Sequence, residues 1–217
     1  MRTLLGANHL VADNVCGCCG QERLDMQCYH AFCCAGSEKT IGHNRIRNCT
    51  AEAFHMADPG TAIEVPGLCA NAPTLRPADV LTRAAHPTLT VAVDIGVRAP
   101  HAVNAGNDAA ETMRQEKLDY YEIHLPDLER QGIIYAPMTF TTYGRRHPCA
   151  TKMLTQAATA VARQRGCANT HGLRRHWERQ ISAEIWRRAA RMIKACWPKL
   201  NPPSATAEDE DIDIDDM

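Results

Sequence analysis

Two aspartates, Asp79 and Asp94, are spaced so that they could hold a divalent cation between them. They lie in residues 76–81 and 89–97, two segments with the pattern of β-strands joined by a connection short enough for a hairpin. In an antiparallel pair, the residue numbers of opposite partners add to a constant total. If that total is odd, as it is for Asp79 and Asp94, the two carboxylates can share a face and lie nearly opposite each other. Facing carboxylates repel unless a cation separates them, and oxygen ligands suit Mg²⁺ or Mn²⁺. The spacing therefore predicts a cation site.

Lys117 and Tyr120 are the next residues that could take part in chemistry at such a site. They lie three residues apart in a predicted helix and so share one of its faces. If the helix packs on the sheet, both reach the carboxylates, where a lysine can orient a metal-bound water and stabilise charge on a phosphate. Taken singly, such residues are usually solvated surface groups. The site is favoured because Asp94 interrupts a strand otherwise suited to burial.

A group of cysteines near the N-terminus has the spacing of a metal site. Six of the eleven cysteines fall within residues 16–34, together with His30. Tetrahedral zinc takes four nitrogen or sulfur ligands, and gaps of two, ten and three residues favour Cys16, Cys19, His30 and Cys34. Cys18, Cys28 and Cys33 compete for the same roles, and buried reduced thiols are the alternative interpretation. The remaining cysteines are expected in the core: Cys49, Cys69, Cys149, Cys167 and Cys196.

Charge is divided unevenly along the chain. Residues 1–144 carry −5, residues 145–207 carry +11 and residues 208–217 carry −7, which gives the formal net charge of −1. A basic segment favours contact with a phosphate backbone, without sequence preference, although solvated amphipathic helices would have the same composition. The arginines proposed for DNA contact in this segment are Arg174, Arg175, Arg187 and Arg188. The acidic tail is predicted to be disordered and to compete with DNA for this surface.

The other segments position these residues. The chain of 217 residues is long enough for one core. Helices are expected over 39–56, 107–125, 150–165 and 173–197, and strands over 61–66, 76–81, 89–97 and 132–142. This order predicts an α/β or α+β domain with a mixed sheet flanked by helices. We divide the chain into a leader and zinc knuckle (1–38), a core (39–145), a basic helical extension (146–200) and the acidic tail (201–217).

Several classes of protein are excluded by the composition. No run of eighteen apolar residues occurs, so we predict no transmembrane helix and no membrane partner. The apolar stretch at the N-terminus is too short for a secretory signal. An odd number of cysteines without such a signal argues against a secreted disulfide framework. An intracellular location is therefore expected.

Six short motifs follow one another in a fixed order between residues 16 and 145. They are the Cys/His knuckle, GHNRIR (42–47), EVP (64–66), RPAD (76–79), VDI (93–95) and KLDY (117–120). The set resembles the restriction-like endonuclease region at the C-terminus of the reverse-transcriptase proteins of site-specific non-LTR retrotransposons. Those regions belong to the PD-(D/E)XK nuclease fold.

The resemblance implies a DNA endonuclease with Asp79 and Asp94 as metal-binding catalytic carboxylates, Lys117 as catalytic lysine and Tyr120 as an auxiliary residue. It implies DNA as the substrate, a nuclear location, a structural zinc knuckle that helps hold DNA, and a reverse transcriptase as partner in cis or in trans. Arg45 and Arg47, in the second motif, are expected to contact DNA.

The chain also departs from the family pattern. The general nuclease motif has a lysine two residues after the second acid, where this chain has Gly96; the retrotransposon branch has its lysine in the following helix, as Lys117 would be. No polymerase motif is present, so a fragment, a stand-alone derivative and a decayed remnant are all open. The competing functions are a catalytically inactive nucleic-acid-binding module and a zinc-stabilised interaction protein.

Overall fold

The structure is a computed structural model that describes residues 15–25, 28–34, 36–166 and 169–197. The acidic tail, most of the leader and Cys167 lie outside these residues.

Four strands form one mixed sheet in the order β1-β2-β3-β4. The strands are β1 (Ala62–Ile63), β2 (Val80–Thr82), β3 (Thr90–Arg98) and β4 (Ile133–Thr141). The first three pair antiparallel, whereas β3 and β4 run parallel over their whole length. The predicted hairpin between β2 and β3 and the mixed sheet are both confirmed.

Helices flank this sheet. They are α1 (Ala31–Cys34), α2 (Gly36–His55), α3 (Ala109–Tyr121), α4 (Leu125–Arg130), α5 (Pro148–Arg165) and α6 (Thr170–Cys196). Asp108 caps α3 by accepting hydrogen bonds from the backbone N–H groups of Ala110 and Glu111. A 3₁₀ turn, Glu122–His124, joins α3 to α4. The architecture is α+β. No helix among the described residues has the length and apolar character needed to cross a membrane.

The two faces of β3 pack against different sets of helices. Val91, Val93 and Ile95 lie in the main hydrophobic cluster with residues of α2, α5 and α6. Ala92, on the opposite face, packs with a second cluster that includes Leu128 of α4. Both faces of β3 are therefore covered, including the face that carries Asp94.

Helices α5 and α6 belong to the same core as the sheet. Trp177, Ile181 and Ile185 lie on one face of α6 and are buried in the main cluster. The basic segment therefore contributes one face to the core.

Among the predicted boundaries that differ from the structure, three have a clear local cause. The strand expected over 61–66 ends at Ile63, because Glu64 has a left-handed φ of 50°, which a strand cannot continue. The next strand begins at Val80 rather than residue 76, and the intervening Pro77 has no N–H to donate to a neighbouring strand. The helix expected over 107–125 ends at Tyr121, and Pro126 lies in the first turn of the separate helix α4, where its fixed φ is favourable.

Candidate active site and candidate metal centre

Asp79 and Asp94 lie opposite each other at the junction of β2 and β3. The register pairs Val80 with Val93, so the next step along each chain brings the two aspartates face to face. The backbone N–H of Ile95 donates a 2.6 Å hydrogen bond to Asp79 Oδ2, which fixes this carboxylate across the hairpin. Asp94 is buried within the strand, whereas Asp79 is partly exposed. The predicted juxtaposition of the two acids is thus present.

Lys117 reaches the same place from α3. Its Nζ lies 2.6 Å from Asp94 Oδ1. The side chain crosses β3 at Gly96: a Cβ added there would lie 2.8 Å from Lys117 Cε and 2.7 Å from Met113 Cγ. Glycine is therefore the residue that lets the helix approach closely enough for this ion pair.

Two further residues bind the aspartates and were missed in the sequence. Tyr135 of β4 donates a 2.5 Å hydrogen bond from its hydroxyl to Asp94 Oδ2. His43 of α2 lies with Nε2 3.0 Å from Asp79 Oδ1. The available signal for Tyr135 was its hydroxyl within the apolar first half of β4, and the signal for His43 was its position within the second motif.

The two carboxyl groups have pKa values shifted in opposite directions. Burial acts to raise the pKa of Asp79, but hydrogen bonds from His43 and Ile95 and the charge of Lys117 outweigh it, so the pKa lies below its ordinary value. For Asp94, burial dominates and the charge of Asp79 adds to it, so the pKa is raised despite Lys117 and Tyr135. Burial beside Asp94 also raises the pKa of the Tyr135 hydroxyl, which stays a donor.

Asp79, Asp94 and Lys117 line an open cleft of about 530 Å³. Tyr120 lies at its rim, largely exposed, with its ring edge-on to Tyr121. The cleft thus unites the four residues predicted as catalytic. Its lining also contains residues that the prediction did not include: His43, Arg76, Met113, Glu116 and Tyr121.

Neither Glu52 nor Glu64 lines the cleft. Glu64 forms ion pairs with Arg47 and Arg76 instead. Glu52 borders a separate depression between α2 and α6. Glu116, which does line the cleft, is paired with Arg98.

The arginines expected to contact DNA do not form one open surface. Arg47 and Arg188 are buried, which corrects the expectation that both face outward. Arg47 is held by its ion pair with Glu64, and Arg188 is packed against Gly42 of α2. Arg45, Arg175 and Arg187 are exposed, and Arg174 is partly exposed. Arg187 and Arg174 each pair with a glutamate of α6, so part of their charge is neutralised: the partners are Glu184 and Glu178.

The N-terminal cluster brings together the four ligands favoured by their spacing. Cys16, Cys19, His30 and Cys34 have ligand atoms that all lie within 4.8 Å of one another. Cys16 Sγ is 3.7 Å from Cys34 Sγ, and Cys19 Sγ is 3.5 Å from His30 Nε2. Zinc–ligand bonds of 2.0–2.3 Å in a tetrahedron give ligand separations of about 3.5–3.8 Å. The cluster could therefore hold a metal ion such as zinc.

Local backbone structure positions these ligands. The turn over 16–20 is closed by a 2.8 Å hydrogen bond from Gly20 N to Cys16 O, with Gly20 at a left-handed φ of 66°. The Asp25 carboxylate accepts hydrogen bonds from the backbone of Tyr29 and His30, which fixes the start of the second ligand pair. Of the competing cysteines, Cys28 is buried and Cys33 is exposed, both outside the four-ligand set.

Comparison of the chain with protein-family models, curated proteins and solved structures found no match in any of the three.

Proposed function

We propose that this protein is a metal-dependent endonuclease that hydrolyses phosphodiester bonds in DNA. The observation that supports this most strongly is the convergence of Asp79, Asp94 and Lys117 in one open cleft. The three residues come from a β-hairpin and a helix, and Lys117 reaches the acids across a glycine. This arrangement agrees with the resemblance to restriction-like endonucleases, whose lysine is placed on a helix in the retrotransposon branch.

The acid pair fits a hard divalent cation such as Mg²⁺ or Mn²⁺. Both donors are carboxylate oxygens, which these ions prefer, and Mg²⁺ usually takes one or two carboxylates and completes its shell with water and substrate oxygens. The open cleft leaves room for those further ligands. When bound, the cation would polarise the scissile phosphate and lower the pKa of an attacking water.

The protein's own residues would position the reacting groups. His43 and the Ile95 backbone orient Asp79, while the Tyr135 hydroxyl orients Asp94. Lys117 would shift its hydrogen bond from Asp94 to a water or phosphate oxygen, where its positive charge stabilises the developing negative charge. Tyr120, exposed at the rim, would support the DNA backbone.

The rest of the molecule would bind the nucleic acid. A zinc ion on the Cys/His set would act structurally, and the exposed Arg45, Arg175 and Arg187 would contact phosphates. A nuclear location and a reverse transcriptase partner, in cis or in trans, belong to the same proposal.

A supercoiled plasmid provides the test of this activity. We expect nicked or linear DNA to appear with Mg²⁺ and not without it. Lys117→Met should lower the cleavage rate by about 10²–10³-fold while DNA affinity changes little. Cleavage that continues at the full rate without a divalent ion would contradict the proposal.

The second candidate is a catalytically inactive nucleic-acid-binding module, and one observation favours it. The oxygens of both aspartates already have donors within the protein: His43, Ile95, Lys117 and Tyr135. Such a site is stable without a cation. Mn²⁺ titration followed by electron paramagnetic resonance separates the two candidates, because an inert site leaves the spectrum of Mn²⁺ unchanged while DNA still binds.

A further inference from the structure

The last residue of α6 lies within the N-terminal cysteine cluster. The backbone N–H of Gly17 donates a 2.7 Å hydrogen bond to Cys196 O, and Cys18 Sγ lies 3.1 Å from Ala195 O. The turn that carries the first zinc ligands is therefore held on the C-terminal end of a helix almost 180 residues away in sequence. This contact brings a third region of the chain to the cluster.

Three thiols meet at this contact. Cys16, Cys18 and Cys196 have sulfur atoms that all lie within 4.8 Å of one another, the second such set among the described residues. Cys16 and Cys196 are almost completely buried, whereas Cys18 is exposed. Cys16 is a member of both sets, so its sulfur lies within 4.8 Å of the ligand atoms of each group.

We propose that the cluster holds two zinc ions, with the Cys16 thiolate bridging them and with Cys18 and Cys196 as ligands of the second ion. Thiolate ligands select zinc among the abundant divalent ions, and the exposed side of Cys18 leaves a position for water as the remaining ligand.

Charge balance supports a second ion in this place. Cys196 is surrounded by apolar groups, among them Leu24, Ala31 and Met192, where an isolated thiolate would be costly. Its thiol donates a long, weak hydrogen bond of 4.0 Å to Ala31 O. A second divalent ion brings two positive charges, which the thiolates of Cys18 and Cys196 neutralise.

A disulfide explains the geometry less well. It would join two of these sulfurs and leave the third without a partner, whereas a metal ion uses all three. The inferred site would fasten the end of α6 to the N-terminal turn, so that metal binding contributes directly to folding. It rests on zinc in the first set and is independent of the nuclease proposal.

The metal content of the purified full-length chain tests this inference. After expression with zinc and extensive dialysis under reducing conditions, we expect about two zinc ions per chain by mass spectrometry. Cys196→Ser and Cys18→Ser should each lower this to about one, and Cys16→Ser should remove both. Cys33→Ser is the matched control, because Cys33 is exposed near the cluster and outside both sets.

Cadmium exchange gives a second measurement that needs no variant. A ¹¹³Cd spectrum of the wild-type protein should show two resonances that are coupled through the shared sulfur. A single ion in the wild-type chain, unchanged in Cys196→Ser, would overturn the proposal. Because neither readout involves DNA, its failure is distinct from a failure to cleave.

Discussion

Lys117 lies directly over Gly96, the residue two positions beyond Asp94 in β3, and ends 2.6 Å from the Asp94 carboxylate. A lysine at position 96 would place its ammonium group in the same region by a different route. The absence of a side chain at Gly96 and the close approach of α3 are thus two parts of one arrangement.

We predict that Gly96→Ala displaces Lys117. The added Cβ would come within 2.8 Å of Lys117 Cε and 2.7 Å of Met113 Cγ, so both flexible side chains must move. A shift of about 1 Å in a catalytic group can lower the rate by about 100-fold. The measurement is the single-turnover rate of plasmid nicking, with DNA affinity measured in parallel and expected to be unchanged. Nicking at the wild-type rate would show that the lysine does not need this position.

The two aspartates should affect stability in opposite directions at neutral pH. The lowered pKa of Asp79 means that its charge stabilises the fold above the unfolded pKa of about 3.9, a contribution lost as the pH falls through the folded value. The raised pKa of Asp94 means that its charge costs stability above the folded value, a cost that fades as the pH falls towards about 3.9.

In buffer free of Mg²⁺ at pH 7.5, Asp79→Asn should therefore lower the Tm and Asp94→Asn should raise it. The gain in Asp94→Asn should shrink as the pH falls towards the unfolded pKa of about 3.9. Thermal unfolding followed by circular dichroism measures both effects. Equal losses of Tm in the two variants would show that the environments of the two acids do not differ as described.

The packing of α2 against α6 depends on a glycine. A Cβ at Gly42 would overlap the side chain of Arg188 at its base, 2.8 Å from Cβ, where the chain has little freedom to move. We expect Gly42→Ala to lower the free energy of unfolding by about 1–3 kcal/mol. Gly36→Ala is the control, because Gly36 begins the same helix with nothing within 4 Å of an added Cβ. Denaturant unfolding of both variants checks this, and equal stabilities would argue against close packing at Gly42.

The sequence was informative where the relevant signal is local. The short connection between the two strands and the spacing of Asp79 and Asp94 predicted that the two carboxylates lie opposite each other. The gaps between Cys16, Cys19, His30 and Cys34 predicted a ligand set that the structure brings together. In each case, neighbouring residues within one or two elements are sufficient to define the geometry.

Residues brought to a site by long-range packing were missed. His43 and Tyr135 reach the aspartates from α2 and β4, and no periodicity in the sequence specifies which helix or parallel strand lies beside β3. Cys196 was expected to be a core residue, and it is buried; its proximity to Cys16 depends on how α6 ends against the N-terminal turn. The burial of Arg188 was missed for the same reason, because it follows from the contact of this side chain with Gly42 of α2.

The most direct test of the central claim is plasmid nicking in Mg²⁺ by Asp79→Asn and Asp94→Asn, compared with Asp119→Asn. Asp119 is an exposed acid on α3 that binds Gln115 outside the cleft, so it controls for the loss of one negative charge. We expect both cleft variants to lose cleavage while they still bind DNA, and Asp119→Asn to cleave like the wild-type protein. Undiminished Mg²⁺-dependent cleavage by both cleft variants would contradict the account.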